Sequence, residues 1–436
     1  MNWKEIYKSR LCTADEAVRN IRSGETVVLA HAVGEPPALT DALVANAERF
    51  ENVEIRHMVS LGLGKYAAPG MEKHFRVNPM FAGANVRACL AEGRGDFTPA
   101  FFHEVPKLFR TGQLTLDVLM CQVSPPDEHG YCSLGTSVDY TLQALKSARL
   151  VLAQVNSNFP CTYGESFVHV SEIDHFVEAD APMFEIKPPT IGDVEKSIGE
   201  HCASLVEDGS TLQLGIGGIP DAVMLFLKDK KDLGIHSEMI SDGTLELFES
   251  GVITNRKKSE NVGKMTVAFL MGTEKLYRFA HKNPAVEVRP VDYVNHPIVV
   301  SRQHKIVSIN SAIQIDLQGQ VDAEAMGLRQ FSGVGGQVDF IRGAAMSDGG
   351  KAIIAMPSVT IKKDGSIISK IVPFLDEGAP VTTSRNDIDY VVTEYGIAPL
   401  KGQSLRQRAR HLINIAHPDK RAELVEEFEK RFSDKF

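Results

Sequence analysis

The sequence predicts an α/β protein made of two related domains, each with a mostly parallel sheet covered by helices. Short apolar and β-branched runs alternate with helical stretches along the chain, which is typical of βαβ units. A succession of helix, turn, strand and loop near the N-terminus also returns after residue 190. The length of 436 residues accommodates two large domains.

The composition is that of an ordinary globular protein, with 43% apolar and 24% charged residues. No stretch reaches the roughly 18 consecutive apolar residues that a membrane span needs. The N-terminus has mixed charge and no apolar stretch before Val27, so we expect no signal peptide and a cytoplasmic protein. The net charge is −9, and no run of like charge suggests a nucleic-acid or membrane surface.

The first half opens with a predicted helix. Residues Thr13 to Glu16 have the form of a capping box, Ser23-Gly24 favours a turn, and Thr26 to Ala30 favours a strand. A loop with Gly34 and two prolines follows this strand. A later apolar run, Leu150 to Gln154, predicts another strand.

The second half repeats this order. Asp193 to Val206 is a predicted helix, Asp208-Gly209 a turn and Thr211 to Leu214 a strand. The segment from Ser23 to Ala30 lies over the segment from Asp208 to Gly215 when the two are aligned. The chain therefore consists of two related halves.

A proline-rich segment, Ala181 to Thr190, separates the halves and disfavours helix. We place the boundary near residue 186, which gives domains 1–185 and 186–436. Further runs in the second half indicate four more strands: Lys264 to Phe269, Ile298 to Val300, Ile353 to Ala355 and Tyr390 to Thr393. Three stretches indicate helices: Asp221 to Lys228, Ser404 to Ile415 and the charged C-terminal segment Pro418 to Phe436.

The strongest local motif is the glycine loop, Gly215 to Pro220, which joins a predicted strand to a predicted helix. Glycines let backbone N–H groups approach an oxyanion or a phosphate, and proline suits the first turn of the helix. A dinucleotide-binding fingerprint requires glycine at the position of Pro220, which argues against a Rossmann NAD site. A tight turn without a ligand remains the alternative.

Two other clusters and the cysteines allow more than one interpretation. Ser332 to Phe340 is again rich in glycine and suits either a turn or a set of backbone donors. The segment Ser124 to Tyr131 places Asp127, Glu128 and His129 together, but three adjacent residues do not readily converge on one metal ion, so we favour a structural or substrate-lining loop. The six cysteines are at least eleven residues apart and form no redox or zinc pattern, so we interpret them as small buried thiols.

Glu238 stands in an apolar-interleaved stretch, Gly234 to Gly243, between the two glycine clusters. The chain has 56 acidic residues, and a solvated surface charge is the usual state of any one of them. The physical pattern alone does not distinguish Glu238 from the others.

Taken together, the motifs resemble the acetyl-CoA hydrolase/transferase family of class I coenzyme A transferases. The resemblance extends over nearly the whole chain and includes S-P-P-D-E-H-G-Y, G-I-G-G-I-P, H-S-E-M-I-S-D-G, G-V-G-G-Q-V-D-F and T-E-Y-G. It implies that Glu238 is the covalent nucleophile. The residues that it implies for contact with coenzyme A are Gly215, Ile216, Gly217, Gly218 and Ile219 of the glycine loop, and Gly333, Gly335 and Gly336 of the second cluster. The segment T-L-E-L-F-E-S-G after the nucleophile departs from the pattern expected in many relatives.

The family resemblance also implies how a carboxylate and glycine loops act on a thioester. The glutamate attacks an acyl-CoA, a glutamyl-CoA thioester forms, and an incoming carboxylic acid reverses the steps. Coenzyme A is then a co-substrate, and no metal is needed. Since coenzyme A carries phosphates, we expect a local group of cations, with Lys362, Lys363, Arg302 and Arg329 as candidates and Asn310 as a possible hydrogen-bond donor.

A ping-pong transferase is the leading interpretation, with 4-hydroxybutyrate or butyrate and acetate as the acids that the resemblance implies. An acyl-CoA hydrolase would use the same glutamate, and an acyl-CoA-binding protein without activity is a further alternative. We expect the N-terminal half to face the acyl group through His31, His129, Asn156 and Tyr163. We also expect a homo-oligomer, a dimer, with no nucleic-acid or membrane partner.

Overall fold

The computed structural model of the protein describes residues 2–436, which form two compact units. The first contains residues 2–187, Lys264–Asn295 and Gln330–Gly335, and the second contains Pro188–Gly263, His296–Arg329 and Gly336–Phe436. The compact units thus assign two segments from the later part of the chain to the first unit. The division into domains 1–185 and 186–436 stays a prediction.

The segment up to residue 187 contains nine strands and six α-helices, with short 3₁₀ turns between them. The strands are β1 (Thr26–Leu29), β2 (Val53–Arg56), β3 (Phe75–Val77), β4 (Val118–Val123), β5 (Tyr131–Ser133), β6 (Leu150–Val155), β7 (Tyr163–Gly164), β8 (Phe167–His169) and β9 (His175–Glu178). The helices are α1 (Trp3–Arg10), α2 (Ala14–Val18), α3 (Pro37–Ala45), α4 (Arg87–Ala91), α5 (Val105–Arg110) and α6 (Thr141–Ser147). The 3₁₀ turns are Ala47–Arg49, Lys65–Ala67, Met71–Lys73, Phe102–Glu104 and Val170–Glu172.

The remaining elements follow in chain order. The helices are α7 (Asp193–Ser204), α8 (Gly218–Leu225), α9 (Asp242–Glu249), α10 (Glu274–Ala280), α11 (Val291–Val294), α12 (Pro297–Ser301), α13 (Gln337–Met346), α14 (Leu405–Asn414) and α15 (Pro418–Phe432). The longer strands are β10 (Thr211–Leu214), β11 (Gly234–Ile240), β12 (Met265–Leu270), β13 (Val286–Val288), β14 (Ile306–Asn310) and β15 (Gln314–Asp316), and the next three are short: β16 (Val321–Asp322), β17 (Ala325–Met326) and β18 (Arg329–Gln330). The last strands are β19 (Lys351–Ala355), β20 (Val359–Ile361), β21 (Ile367–Ser369), β22 (Ile371–Val372), β23 (Tyr390–Thr393) and β24 (Gly396–Pro399).

The first unit is built on a fully parallel six-stranded sheet in the order β3-β2-β1-β4-β6-β9. Strands β1, β4 and β6 are buried at every residue, as strands covered by helices on both faces must be. The chain leaves β1 toward β2 on one side and later toward β4 on the other. This reversal of strand order marks the edge where ligands of parallel sheets bind. Three further strands of this unit, β12, β13 and β7, also pair in parallel.

The second unit has the same strand order around its first strand. Its sheet runs β24-β23-β19-β14-β10-β11, and every pair is parallel except β23 with β24. Strand β10 is flanked by β11 and β14, as β1 is flanked by β2 and β4. The predicted fold class, two related α/β domains with mostly parallel sheets, is confirmed.

The repeat extends to the backbone turns before the first strand of each unit. Gly24 and Gly209 have positive φ angles of 80° and 76°. The N–H of Gly24 donates to the carbonyl of Glu51 at 2.9 Å, and the N–H of Gly209 donates to the carbonyl of Lys231 at 2.8 Å. Glycine adopts this conformation without steric cost, so both halves need it at the same turn.

Local predictions succeeded where capping chemistry decides the element. Thr13 caps α2 and accepts from the N–H of Glu16, so the predicted capping box is confirmed. The prediction of a strand at Ile298 to Val300 is wrong, because this run forms α12. Pro297 occupies the first turn of that helix and the His296 side chain accepts from the N–H of Ile298, which stabilises a helix despite the β-branched residues.

The hydrophobic core of the first unit gathers residues from its sheet and from α2 and α3, with Leu39, Leu43, Val53 and Ile55 fully buried. Apolar burial of this extent is the main source of stability of such a unit. Within residues 2–436, no helix has the length and apolar character that would let it cross a membrane.

Candidate active site

The candidate site of the second unit lies where β10, β11 and β14 end. These strands run in parallel, so their carboxyl ends share one edge of the sheet. Strand β10 leads into the glycine loop, β11 carries Glu238 and β14 ends at Asn310. The reversal of strand order falls between β10 and β14, which is the position where α/β sheets bind ligands.

The strand register places three of the predicted residues side by side. Leu214 pairs with Ile309 on β14, so the next residue, Gly215, is level with Asn310. On the other side Leu212 pairs with Ile235, which sets Leu214 level with Ser237, and the Ser237 hydroxyl indeed donates to the Leu214 carbonyl at 3.1 Å. Gly215 is therefore also level with Glu238. Neighbouring strands lie about 4.8 Å apart, so Glu238 and Asn310 flank the first glycine of the loop.

Glu238 is the one residue of β11 that is not buried. Its neighbours Ser237 and Met239 are only 1% and 5% exposed. Glu238 therefore keeps part of its surface accessible to a reactant. The strand thus carries one half-buried acidic residue at the edge where the glycine loop begins.

The glycine loop has a backbone conformation that only glycine adopts readily at one position. Gly217, the N-cap of α8, has φ 119° and ψ −178°. A Cβ added at Gly215 or Gly217 would meet no atom within 4 Å, so the space in front of the loop is open. The first N–H groups of a helix have no partner within it, and those of α8 are available to an anionic oxygen.

The other loop residues differ in exposure. Ile216 is 36% exposed, whereas the Ile219 side chain is buried, so Ile219 offers a ligand its backbone alone. Pro220 lies in the first turn of α8, as its sequence position predicts. Gly218 packs near the stem of Glu195, whose Cγ lies 3.0 Å from an added Cβ.

A network of amides fixes Asn310. Its Nδ2 donates to the Oε1 of Gln213 at 3.0 Å and to the Oγ of Ser308 at 2.8 Å, and the Ser308 hydroxyl donates to the same Gln213 oxygen at 2.6 Å. Gln213 and Ser308 are buried and Asn310 is half-buried. Gln213 and Ser308 were not predicted as site residues, although each alternates with apolar neighbours, which is a signal for a polar residue on a buried strand.

The second glycine cluster is divided between the units. Gly333 and Gly335 belong to the first unit and Gly336 to the second, where it is the N-cap of α13. Packing accounts for Gly333, since an added Cβ would lie 2.7 Å from the carbonyl oxygen of Met80. The contact of these three glycines with coenzyme A stays a prediction.

The cations that the sequence favoured lie at the surface. Lys362 and Lys363 are exposed beside the hairpin of β20 and β21, where the N–H of Lys362 donates to the Ser366 carbonyl. Arg302 pairs with Glu260 at 3.4 Å, and Arg329 is exposed. A role of Lys362 toward coenzyme A stays a prediction.

The T-E-Y-G motif acts on the neighbouring loop of the same sheet edge. Glu394 follows β23, and its carboxylate accepts from the N–H of Ser358 at 2.9 Å and from the Ser358 hydroxyl at 2.5 Å. Thr393 donates to the Ile415 carbonyl at 2.6 Å. The motif therefore fixes the loop that follows β19 against the end of β23. Lys370, which belongs to none of the sequence motifs, lies beside this loop.

The four residues proposed to face the acyl group have different surroundings in the first unit. His31 is buried against Asp139, with 3.3 Å between Nδ1 and Oδ2, and the buried Asn156 donates to Gln122 and to the Ala181 carbonyl. His129 and Tyr163 are exposed. Hydrogen bonds within the fold account for the side chains of His31 and Asn156.

The segment Ser124 to Tyr131 is a turn built on one carboxylate. Asp127 Oδ1 accepts from the N–H groups of His129 and Tyr131, both at 2.9 Å. This geometry agrees with the structural interpretation of the segment. In the part of the chain that the structure describes, no group of three or more His, Cys, Asp or Glu side chains has the arrangement of a metal site.

The cysteines form no disulfide. Cys89, Cys121, Cys132 and Cys202 are buried, whereas Cys12 and Cys161 are half-buried, so the prediction of six buried thiols holds for four. Burial raises the pKa of the Cys121 and Cys202 thiols to about 12. These two thiols therefore stay protonated and do not act as nucleophiles.

Comparisons with known proteins agree with the motifs. Residues 1–186 match the acetyl-CoA hydrolase/transferase N-terminal domain and residues 272–428 match the C-terminal domain of the same family. A 4-hydroxybutyrate coenzyme A transferase of Clostridium kluyveri is 59% identical over 432 residues, which cover 99% of this chain and 100% of that protein. A butyryl-CoA:acetate CoA-transferase of Anaerostipes caccae is 39% identical, with 99% of this chain and 98% of that protein covered.

A crystal structure extends the similarity to the fold. The 4-hydroxybutyrate CoA-transferase of Porphyromonas gingivalis is 42% identical, superimposes with a TM-score of 0.84, and is similar over 99% of this chain and 100% of that chain. The motifs, the strand order and these similarities together assign the protein: the chain belongs to the acetyl-CoA hydrolase/transferase family.

Proposed function

We propose that the protein is a coenzyme A transferase that moves CoA from a short-chain acyl-CoA to a free carboxylate through a thioester on Glu238. The register of β10 with its two neighbours carries the proposal, because it sets a reachable carboxylate beside the start of an open glycine loop. The relatives with this activity support the same conclusion.

The reaction begins when the Glu238 carboxylate attacks the thioester carbon of the acyl-CoA. A C–O bond forms, the C–S bond breaks, and a mixed anhydride and CoA thiolate result. The thiolate then attacks the glutamyl carbon and releases the first carboxylate, which leaves CoA as a thioester on Glu238. An acceptor carboxylate repeats the two steps in reverse and leaves as the new acyl-CoA.

The glycine loop stabilises the charge that each addition creates. A tetrahedral intermediate carries its negative charge on the former carbonyl oxygen, and N–H groups at the start of α8 can donate to it. One such donor typically lowers the activation barrier by about 3 to 4 kcal/mol. The loop needs no charged side chain for this role.

We infer the substrate class from the relatives. The names of the Clostridium kluyveri and Anaerostipes caccae proteins give 4-hydroxybutyrate, butyrate and acetate as acids, and these three are short and singly charged, whereas two other relatives are named for succinyl-CoA. A short acid places its carboxylate at the reacting carbon without a large acyl pocket. We therefore propose 4-hydroxybutyrate or butyrate and acetate as the exchanging acids of this protein.

The proposal is tested by incubating the purified protein with butyryl-CoA, with and without an excess of acetate. A transferase forms acetyl-CoA only when acetate is present, a hydrolase releases free CoA without it, and a binding protein does neither. The Glu238→Ala variant should lose exchange completely and still bind CoA, since the backbone donors remain. Glu246→Ala, which removes an exposed carboxylate of α9, is the matched control and should retain activity. Exchange by Glu238→Ala at more than a few per cent of the wild-type rate would place the nucleophile elsewhere.

A further inference from the structure

Lys370 lies beside the sheet edge that carries Glu238, in the connection between β21 and β22. Its N–H donates to the Ser358 carbonyl at 2.9 Å, and its carbonyl accepts from the N–H of Ile315 at 2.8 Å. Ser358 follows the carboxyl end of β19, and Ile315 lies five residues after Asn310. Both contacts hold Lys370 next to the loops that leave the carboxyl ends of β14 and β19.

The ammonium of Lys370 has no partner in this environment. In residues 2–436 its Nζ makes no hydrogen bond and no ion pair, and the residue is half-buried. Glu394 is the charged group whose field acts on it, but both oxygens of that carboxylate are already bonded to Ser358. Burial lowers the pKa of Lys370 to about 8, because the charged form loses its hydration.

Other lysines of the second unit show what a structural role would look like. Lys305 and Lys351 both reach Glu207, at 2.6 and 2.9 Å. Such pairing satisfies the charge within the fold. The half-buried ammonium of Lys370 has lost part of its hydration without gaining such a partner, and a bound anion would supply the missing counter-charge.

We propose that Lys370 binds an anionic group of the substrates, either a phosphate of coenzyme A or the carboxylate of the exchanging acid. This inference rests on the proposed transferase function. Every substrate of that reaction is an anion, whereas the chain has a net charge of −9 and attracts none of them by its overall field. A partly desolvated ammonium interacts with an anion more strongly than an exposed one does, because the local dielectric constant is lower.

Binding measurements on variants of Lys370 test the proposal. Lys370→Met removes the charge at similar length, Lys370→Arg retains it, and Lys430→Met removes an exposed lysine of α15 as the control. Calorimetry with CoA, 3′-dephospho-CoA and pantetheine separates the phosphates, and the KM for acetate reports on the carboxylate. Loss of one charge-assisted hydrogen bond corresponds to about a tenfold to hundredfold weaker affinity.

The pattern of losses identifies the anion. If a CoA phosphate binds Lys370, the affinity of Lys370→Met for CoA is at least about tenfold weaker than that of the wild type. Its affinity for pantetheine, which lacks the phosphates, is then the same as that of the wild type. If the acid binds there, the KM for acetate rises at least about tenfold and CoA affinity is unchanged. Arginine should restore part of either loss. Unchanged CoA affinity and acetate KM in a folded Lys370→Met variant would overturn the proposal, as would loss of CoA affinity in Lys362→Met alone.

A measurement on the unsubstituted side chain covers the case in which Lys370→Met does not fold. Reductive methylation with ¹³C-formaldehyde keeps the charge of each lysine and gives an NMR signal that follows its titration. Saturating CoA or acetate should raise the pKa of Lys370 from about 8, since an anion favours the ammonium. An unchanged titration with both ligands would refute the assignment. A wild type that binds CoA but transfers none would instead refute the proposed function.

Discussion

Replacing Gly217 by alanine perturbs the candidate site through the backbone alone. With φ 119° and ψ −178°, this residue occupies a region that is essentially restricted to glycine. Nothing lies within 4 Å of an added Cβ, so the substitution causes no clash with neighbouring atoms. The whole effect therefore comes from the preference of alanine for another conformation.

The structure gives the size of this effect. A non-glycine residue in such a region costs about 1 to 3 kcal/mol, which shifts the equilibrium toward a rearranged loop by about 5-fold to 150-fold. Rearrangement turns the N–H groups before α8 away from the oxyanion. Loss of one such donor lowers kcat by about 10² to 10³, and we expect at least a hundredfold loss of exchange for Gly217→Ala.

The assay compares exchange between butyryl-CoA and acetate in three proteins: the wild type, Gly217→Ala and Gly251→Ala. Gly251 has φ 80°, lies in open space after α9 and carries a similar backbone constraint outside the loop. The Gly251→Ala variant should lose about 1 kcal/mol of folding stability and keep the kcat of the wild type. Near-normal kcat in Gly217→Ala, with thermal unfolding like that of the wild type, would refute the role of this loop as an oxyanion site.

Three further predictions concern the nucleophile, the substrate and the thiols. Glu238→Asp should lower transfer by about two orders of magnitude, since a retreat of about 1 Å costs that much, while slow thioester hydrolysis persists; both rates are measured in one preparation, and near-normal transfer would contradict a positioned nucleophile. 4-Hydroxybutyrate should exceed butyrate in kcat/KM, and equal values would remove any role for its hydroxyl group. Cys121 and Cys202 should react with a disulfide reagent only after unfolding, whereas the half-buried Cys161 should react sooner; labelling of the native protein followed by peptide mapping checks this, and early labelling of Cys121 would contradict its burial.

Elements with local signals were predictable from the sequence. The cap at Thr13 depends on contacts within four residues, and both the glycine loop and the strand at Tyr390 to Thr393 were recognisable from their own residues. The run Ile298 to Val300 was misread because β-branched residues favour strands on average. The preceding Pro297 was the available signal for a helix.

The arrangement of the site depended on pairing between distant segments. The pattern around Glu238 did not distinguish it from other acidic residues, and only the family resemblance singled it out. Its position level with Gly215 follows from the pairing of β10 with β11, and that of Asn310 from the pairing with β14. The position of Lys370 beside this edge was not predictable, because it depends on backbone hydrogen bonds with the distant residues Ser358 and Ile315.

Intact-protein mass spectrometry after incubation with butyryl-CoA alone tests the central claim most directly. Without an acceptor acid, the proposed reaction stops with CoA bound to the enzyme as a thioester. The account predicts a mass increase of one CoA less one water, which peptide mapping locates on Glu238 and which acetate removes as acetyl-CoA. A protein that turns over butyryl-CoA and acetate without this adduct, or that carries it on another residue, would contradict Glu238 as the nucleophile.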